Sequence, residues 1–146
     1  MKKIYLAAQF ARREELRAYA ALLRGAGFET TSTWLDTTNL INGKMSNNSD
    51  DDNARRAVQD IVDVERADGV LFFSEDPLVG IPRGARHVEF GYALAQGKEL
   101  AIIGGRENVF HWMLPDWAFY GSVEEFIAAG ACGYVYKPDY APARPS

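Results

Sequence analysis

Apolar and polar positions follow two rhythms along this chain. Ile4-Tyr5-Leu6-Ala7-Ala8 is a short unbroken apolar run, suited to a strand buried on both faces. From residue 11 to 25 the period changes. Leu16, Tyr19, Ala20, Leu22 and Leu23 recur at helical spacing, with Arg12, Arg13, Glu14, Glu15 and Arg17 on the other side. Gly25 and Gly27 stop this helix. Phe28 to Leu35, rich in threonine and containing Trp34, reads as a second strand. Asp36 to Asp52 is polar and without period, long for a connection and of the kind that forms lids. A helix is expected over 53–67, and Gly69-Val70-Leu71-Phe72-Phe73 is the clearest buried strand. Ser74 to Arg83 is a loop, and 85–96 is a helix ended by Gly97. Leu100-Ala101-Ile102-Ile103 and Trp117-Ala118-Phe119-Tyr120 are strands. Ser122 caps a last helix to Ala129, with Glu125 completing a capping box.

Strands alternating with helices predict a single-domain, flavodoxin-like (Rossmann-like) α/β fold: a five-stranded parallel sheet with helices on both faces. With 146 residues the chain is one domain on the usual scale of roughly 100–200. The domain is expected over 1–136, with a loose, proline-rich tail over 137–146. A content of 47% hydrophobic and 25% charged residues fits a soluble protein that needs no disulfide or metal to fold. The net charge of -4 argues against a nucleic-acid polymer as partner, which needs a basic face. Asp50-Asp51-Asp52 precedes a helix and reads first as a capping, dipole-favouring run, with metal or substrate contact as the alternative. The lone Cys132 excludes an internal disulfide and reads as a small buried residue. No apolar run approaches the roughly 18 residues of a membrane span, and Arg12, Arg13, Glu14 and Glu15 cut short any leader-like start. The expected setting is cytoplasmic.

In an open parallel sheet, ligands bind at the carboxyl ends of the strands. Three segments meet there: Ala8-Gln9-Phe10, Ser74 to Arg83, and Gly104 to Asn108. Neither G-x-G-x-x-G, nor G-x-x-x-x-G-K-[ST], nor G-x-S-x-G occurs. His87 and His111 lack ligand spacing and read as surface or packing residues, so no metal is expected. Glu89 stands among Val88, Phe90, Tyr92 and Leu94 on an otherwise apolar helix, placed by the sequence in its first turn. There the helix dipole would favour an ionised carboxylate, which can act as a nucleophile at a sugar carbon. Asp60, Val64 and Ala67 share one helical face, so Asp60 points inward, while Asp63 and Glu65 are expected in solvent. Two carboxylates at one pocket, one nucleophilic and one positioning or protonating, follow the logic of retaining glycosyl chemistry.

At these residues the chain resembles the nucleoside 2-deoxyribosyltransferase family, over Lys3 to about Ile127. The matching pieces are Ile4-Tyr5-Leu6-Ala7, Asp60 with Ala67-Asp68, Asn108-Val109-Phe110-His111-Trp112 and, most specifically, Glu89-Phe90-Gly91-Tyr92-Ala93-Leu94-Ala95-Gln96-Gly97-Lys98. The resemblance implies that Glu89 attacks C1′ of deoxyribose, expels the base and forms a covalent intermediate that a second base resolves. It implies that Asp60 helps place base and nucleophile, and that the Tyr5 hydroxyl holds the carboxylate of Glu89. It further implies a homo-oligomer in which Asn108 completes a neighbour's site, small-molecule nucleoside and nucleobase partners, and no cofactor. Gln9 and Phe10 line the turn after the first strand. Arg83 stands where some members carry an aspartate that contacts the base, with Arg86 nearby. The two arginines are either solvated loop charge or ligands for a 5′-phosphate. Related enzymes hydrolyse nucleoside monophosphates, so hydrolysis of a nucleoside or its 5′-monophosphate is the second expectation, and a silent nucleotide-binding module the third.

Overall fold

The computed structural model describes residues 1–36, 50–76 and 84–137. Its elements in chain order are β1 (Lys3–Ala7), α1 (Arg13–Gly25), β2 (Glu29–Thr30), α2 (Asp50–Arg66), β3 (Gly69–Phe73), α3 (Ala85–Ala95), β4 (Glu99–Ile103), β5 (Phe119–Tyr120), α4 (Val123–Ala128) and β6 (Tyr134–Val135). The strand order is β2-β1-β3-β4-β5, all parallel, which is the flavodoxin-like order. The expected five-stranded parallel sheet is present, with one addition. Short β6 pairs antiparallel with the start of β4, through Glu99 and Leu100.

β1, β3 and β4 are buried on both faces, which is why they read as continuous apolar runs. Their side chains divide by alternation. Ile4, Leu6, Leu71, Phe73 and Ala101 pack against α1 and α4 through Leu16, Leu23, Val123 and Phe126. Tyr5, Val70, Phe72, Leu100 and Ile102 face the other way, toward Val64 of α2 and Phe90 of α3. Gly69 is required by close approach: a Cβ there would stand 2.5 Å from the carbonyl oxygen of Glu99 on the adjacent strand. Between β4 and β5 the chain uses two 3-10 turns, Val109–Met113 and Asp116–Ala118, in place of an α-helix. No described helix is long and apolar enough to cross a membrane.

Several boundaries differ from expectation, each for a physical reason. The strand expected over 28–35 narrows to Glu29–Thr30, because the following side chains bind elsewhere. Ser32 Oγ accepts from Leu6 N–H at 2.6 Å, Trp34 Nε1–H donates to the Leu6 carbonyl at 2.9 Å, and Thr33 N–H donates to Asp63 at 2.9 Å. Residues 33–35 then close a 3-10 turn. Asp50, Asp51 and Asp52 form the first turn of α2, where the dipole favours them. Ser122 caps α4 as expected, its Oγ accepting from Glu125 N–H at 3.1 Å, but Glu125 accepts from Gly121 N–H at 2.8 Å, one residue before the N–H that a capping box uses. Cys132, expected in the core, is exposed. The chain turns at Gly130 and Ala131, both with positive φ, and it is Ala131 that enters the core. The expected lid lies outside the described residues over 37–49, as do residues 77–83 of the loop after β3 and 138–146 of the tail.

Candidate active site

Three elements bring Tyr5, Asp60 and Glu89 together. Tyr5 sits at the middle of β1, fully buried on the face covered by α2 and α3. Asp60 and Glu89 occupy matching heights on those helices, each six residues before its helix ends. Both helices run antiparallel to the strands, so both carboxyl groups face the same stretch of sheet. Glu89 is only 7% exposed, and Asp60 is partly buried.

Burial decides the charge of this trio. The Asp60 carboxyl is pushed up to about 6, chiefly by burial and then by Asp63, with Arg56 opposing. Glu89 is pushed up to about 8, chiefly by burial and then by the charge on Asp60, with Tyr5 and Arg86 opposing. The Tyr5 phenol is raised well above its ordinary value by burial and by Glu89 and Asp60. Its hydroxyl interacts with Glu89 without forming a hydrogen bond of ordinary geometry among the described residues. Catalytic hydrogen bonds are often loose before substrate binds. The expectation of an ionised Glu89 in a first helical turn is therefore corrected twice. Glu89 is the fifth residue of α3, beyond the first turn, and desolvation outweighs the dipole, so at neutral pH it carries a proton.

Asp63 also departs from expectation. Expected in solvent, it is completely buried on α2 and holds the backbone and side chain of Thr33, at 2.9 and 2.5 Å, together with Gln59 Nε2 at 2.9 Å. Its partner Thr33 lies in the segment after β2, which helical periodicity does not reveal. Glu65 is exposed as expected and accepts from the Tyr92 hydroxyl.

Arg86 is not a solvated loop charge. It lies on the buried face of α3, 1% exposed, over the ring of Phe72. Its Nη2 donates to Glu107 at 2.6 Å. His87 joins this pair, with Nε2 3.0 Å from Glu107. Burial lowers the proton affinity of His87, as does Arg86, whose Nη1 lies 2.9 Å from the same nitrogen. Asn108 Oδ1 accepts from Phe110 N–H, and its Nδ2 lies 3.1 Å from His87 Nδ1. His111 is buried against Phe72 and Phe90, accepts from Glu107 N–H on Nδ1, and is pushed down to about 4, first by burial and then by His87. Both histidines therefore pack, as expected, but they meet in space, with ring centroids 6.3 Å apart. Sequence patterning misses Glu107, although a signal exists, since it is the one acid in the strand-end turn Gly104 to Asn108.

Gln9 and Phe10 follow β1 at its carboxyl end. The Gln9 carbonyl accepts from Arg12 N–H at 3.0 Å, and Phe10 packs on Trp34 with ring centroids 6.1 Å apart. Asn108 caps the turn beginning at Val109. Arg83 lies outside the described residues. A cleft of about 410 Å³ runs beside β2, lined by Arg17, Arg24, Arg66 and Asp36 among others, and none of the trio lines it. Among the described residues no group of His, Cys, Asp and Glu is placed to hold a metal ion.

No protein-family model and no curated protein matches this chain. Among solved structures, a Clostridium botulinum CMP N-glycosidase (BcmB) is similar, with a TM-score of 0.52 and 18% identity over 89% of this chain and 98% of that one. At this identity the likeness shows the shared α/β Rossmann-like fold.

Proposed function

We propose that the protein cleaves the N-glycosidic bond of a nucleoside or nucleotide by double displacement, with Glu89 as nucleophile. The observation that carries this reading is the convergence of Tyr5, Asp60 and Glu89 from three elements on one buried stretch, two of them carboxyl groups with raised proton affinity. Perturbed carboxyls of this kind mark acid–base and nucleophilic work. The resemblance of the Glu89-to-Lys98 segment to the 2-deoxyribosyltransferases supports the same roles.

In the first step a Glu89 oxygen forms a bond to C1′ as the bond from C1′ to the base nitrogen breaks, its electron pair leaving with the base. Asp60 supplies the proton that the departing base takes up. The resting proton sits mainly on Glu89, so it must pass to Asp60 before attack. Tyr5 and Arg86 favour the anion thus formed. In the second step an acceptor attacks C1′, the ester to Glu89 breaks, and the acceptor's proton returns to the carboxyl pair. Two inversions give net retention.

With a second nucleobase as acceptor the protein transfers 2-deoxyribose, and this is the first reading. With water as acceptor it is an N-glycosidase, a reading favoured by its similarity to a structure described as a CMP N-glycosidase. The ligands proposed are a nucleoside or its 5′-monophosphate and a free base, in a homo-oligomer that brings Asn108 to a neighbour's site. The deciding experiment incubates the protein with deoxyinosine plus adenine, and separately with deoxynucleoside and nucleoside 5′-monophosphates. Base exchange supports transfer, and free sugar or sugar phosphate supports hydrolysis. Glu89→Ala should abolish both turnover and the covalent adduct seen by mass spectrometry. Near-normal rates in that variant would refute Glu89 as nucleophile, and binding of every ligand without turnover would make the domain a silent binding module.

A further inference from the structure

Four groups converge on one carboxylate residue that the proposed chemistry does not use. Glu107 Oε1 accepts from the backbone N–H of Glu75, just past β3, at 2.6 Å. Its Oε2 accepts from Arg86 Nη2 at 2.6 Å and lies 3.0 Å from His87 Nε2, both residues on the first turn of α3. Its own N–H donates to His111 at 3.0 Å. The side chain is 6% exposed. One residue thus ties the end of β3, the turn after β4 and the start of α3 to one another.

Arg86 gives this arrangement a functional direction. Arg86 and Glu89 lie three residues apart on the buried face of α3, with Phe90 and Ala93. Phe72 lies beneath the guanidinium, 5.3 Å away, and Glu107 holds one of its terminal nitrogens. Its buried Nε has no hydrogen-bond partner among the described residues. The guanidinium is therefore located by Glu107 rather than by solvent.

We propose that Glu107 is a positioning residue, which fixes the Arg86 guanidinium beside the Glu89 carboxyl and offsets part of its charge there. This rests on the reading of Glu89 as nucleophile. The charged and titratable groups that face Glu89 are Tyr5 from β1, Asp60 and Asp63 from α2, and Arg86 from its own helix. Arg86 is the one cation among them. A fixed cation at that place stabilises the carboxylate that must form before attack, and Glu107 sets how strongly it does so. Glu107 in turn is faced by Arg86 and His87 from α3 and by His111 from the following turn.

The test reads Glu89 directly, by carbon-13 NMR titration of the carboxyl-labelled full chain, so that it does not depend on any turnover. Glu107→Gln leaves the Arg86 charge less compensated and should lower the midpoint of Glu89 by about half a pH unit or more. Arg86→Gln removes the cation and should raise it. Glu107→Asp keeps the charge one methylene short. It should leave the midpoint close to wild type, while kcat for base release falls about tenfold with little change in KM. Opposite shifts in Glu107→Gln and Arg86→Gln establish the proposal. Unchanged midpoints in both variants overturn it, including when thermal stability alone has dropped, which is the result for a merely structural pair. Should Glu107→Gln fail to fold, an unchanged midpoint in Arg86→Gln overturns it equally. Absence of turnover in wild type would count against the proposed function and leave the titration result standing.

Discussion

Burial first, and then the charge on Asp60, keeps the proton on Glu89. Asp60 ionises near pH 6 and Glu89 near 8, and after burial the negative charge left by the first ionisation is what raises the second. Between those values the pair holds one negative charge and one proton, the composition that a nucleophile and an acid need together.

The pH dependence of kcat/KM should therefore be bell-shaped. Below about 6 both carboxyls are protonated and no nucleophile exists; above about 8 both are ionised and no acid exists. Asp60→Asn should lose the alkaline limb, because only Glu89 then titrates. The remaining limb then reports Glu89 alone, at a value below 8, since the Asp60 charge that raised it is gone. A fall in rate of roughly 10²–10⁴-fold is expected for the loss of a positioned acid. A profile flat from pH 5 to 9 in the wild type would be incompatible with this pair.

Glu89 also links pH to folding. Its carboxyl titrates near 4.5 when unfolded and near 8 when folded, so the native state binds its proton more tightly. Its contribution to stability is complete below about pH 4.5 and is lost as pH rises toward and through 8. Glu89→Gln removes that dependence. The variant should match wild type at pH 4.5 and exceed it at pH 8.5, by on the order of 2–4 kcal/mol, because each tenfold difference in proton affinity between the two states is worth about 1.4 kcal/mol. Urea unfolding of both proteins at the two pH values measures this.

What can be read from the chain, and what cannot, divides along local and long-range causes. β1, β3 and β4 are legible because strands buried on both faces are apolar throughout. Asp60 is legible as inward because its face of α2 contains Val64 and leads to Ala67. Asp63 is not, because its burial is compensated by Thr33, thirty residues away and on another element. The same contact shortens β2. Glu107 escapes because its partners, Glu75, Arg86 and His87, are assembled only by the crossovers of the sheet. Glu89 stands out by position, but its protonation does not, since depth of burial is not visible in a one-dimensional pattern.

Asp63→Ala tests the buried anchor between α2 and the turn after β2. The substitution leaves the Thr33 N–H and hydroxyl without their acceptor in a partly buried setting. Loss of a charged acceptor of this kind costs about 2–4 kcal/mol. Asp63→Asn retains a carbonyl oxygen for the Thr33 N–H and should cost clearly less. Chemical denaturation of the two variants gives the order, and equal costs would show that the hydrogen bonds to Thr33 are not the source.

Assembly is the remaining consequence. Val109, Phe110, Trp112 and Trp117 are 72%, 62%, 71% and 54% exposed, on the two consecutive turns that begin just after Asn108. Large apolar side chains clustered in this way are uncommon on a monomer and mark contact surfaces. Within its own chain Asn108 reaches only its capping contact and His87 among the described residues, and not the carboxyl pair. A second copy covering the turns would shield the aromatics and carry Asn108 toward a neighbouring site. Sedimentation of the wild type should therefore give a dimer or larger. The double variant Phe110→Ser, Trp112→Ser should sediment as a monomer and lose most turnover, while its circular dichroism stays native, because both side chains lie outside the core. Asn108→Ala should remain assembled yet turn over slowly. A wild type that sediments as a monomer at micromolar concentration, with full activity, would remove the neighbour from the mechanism.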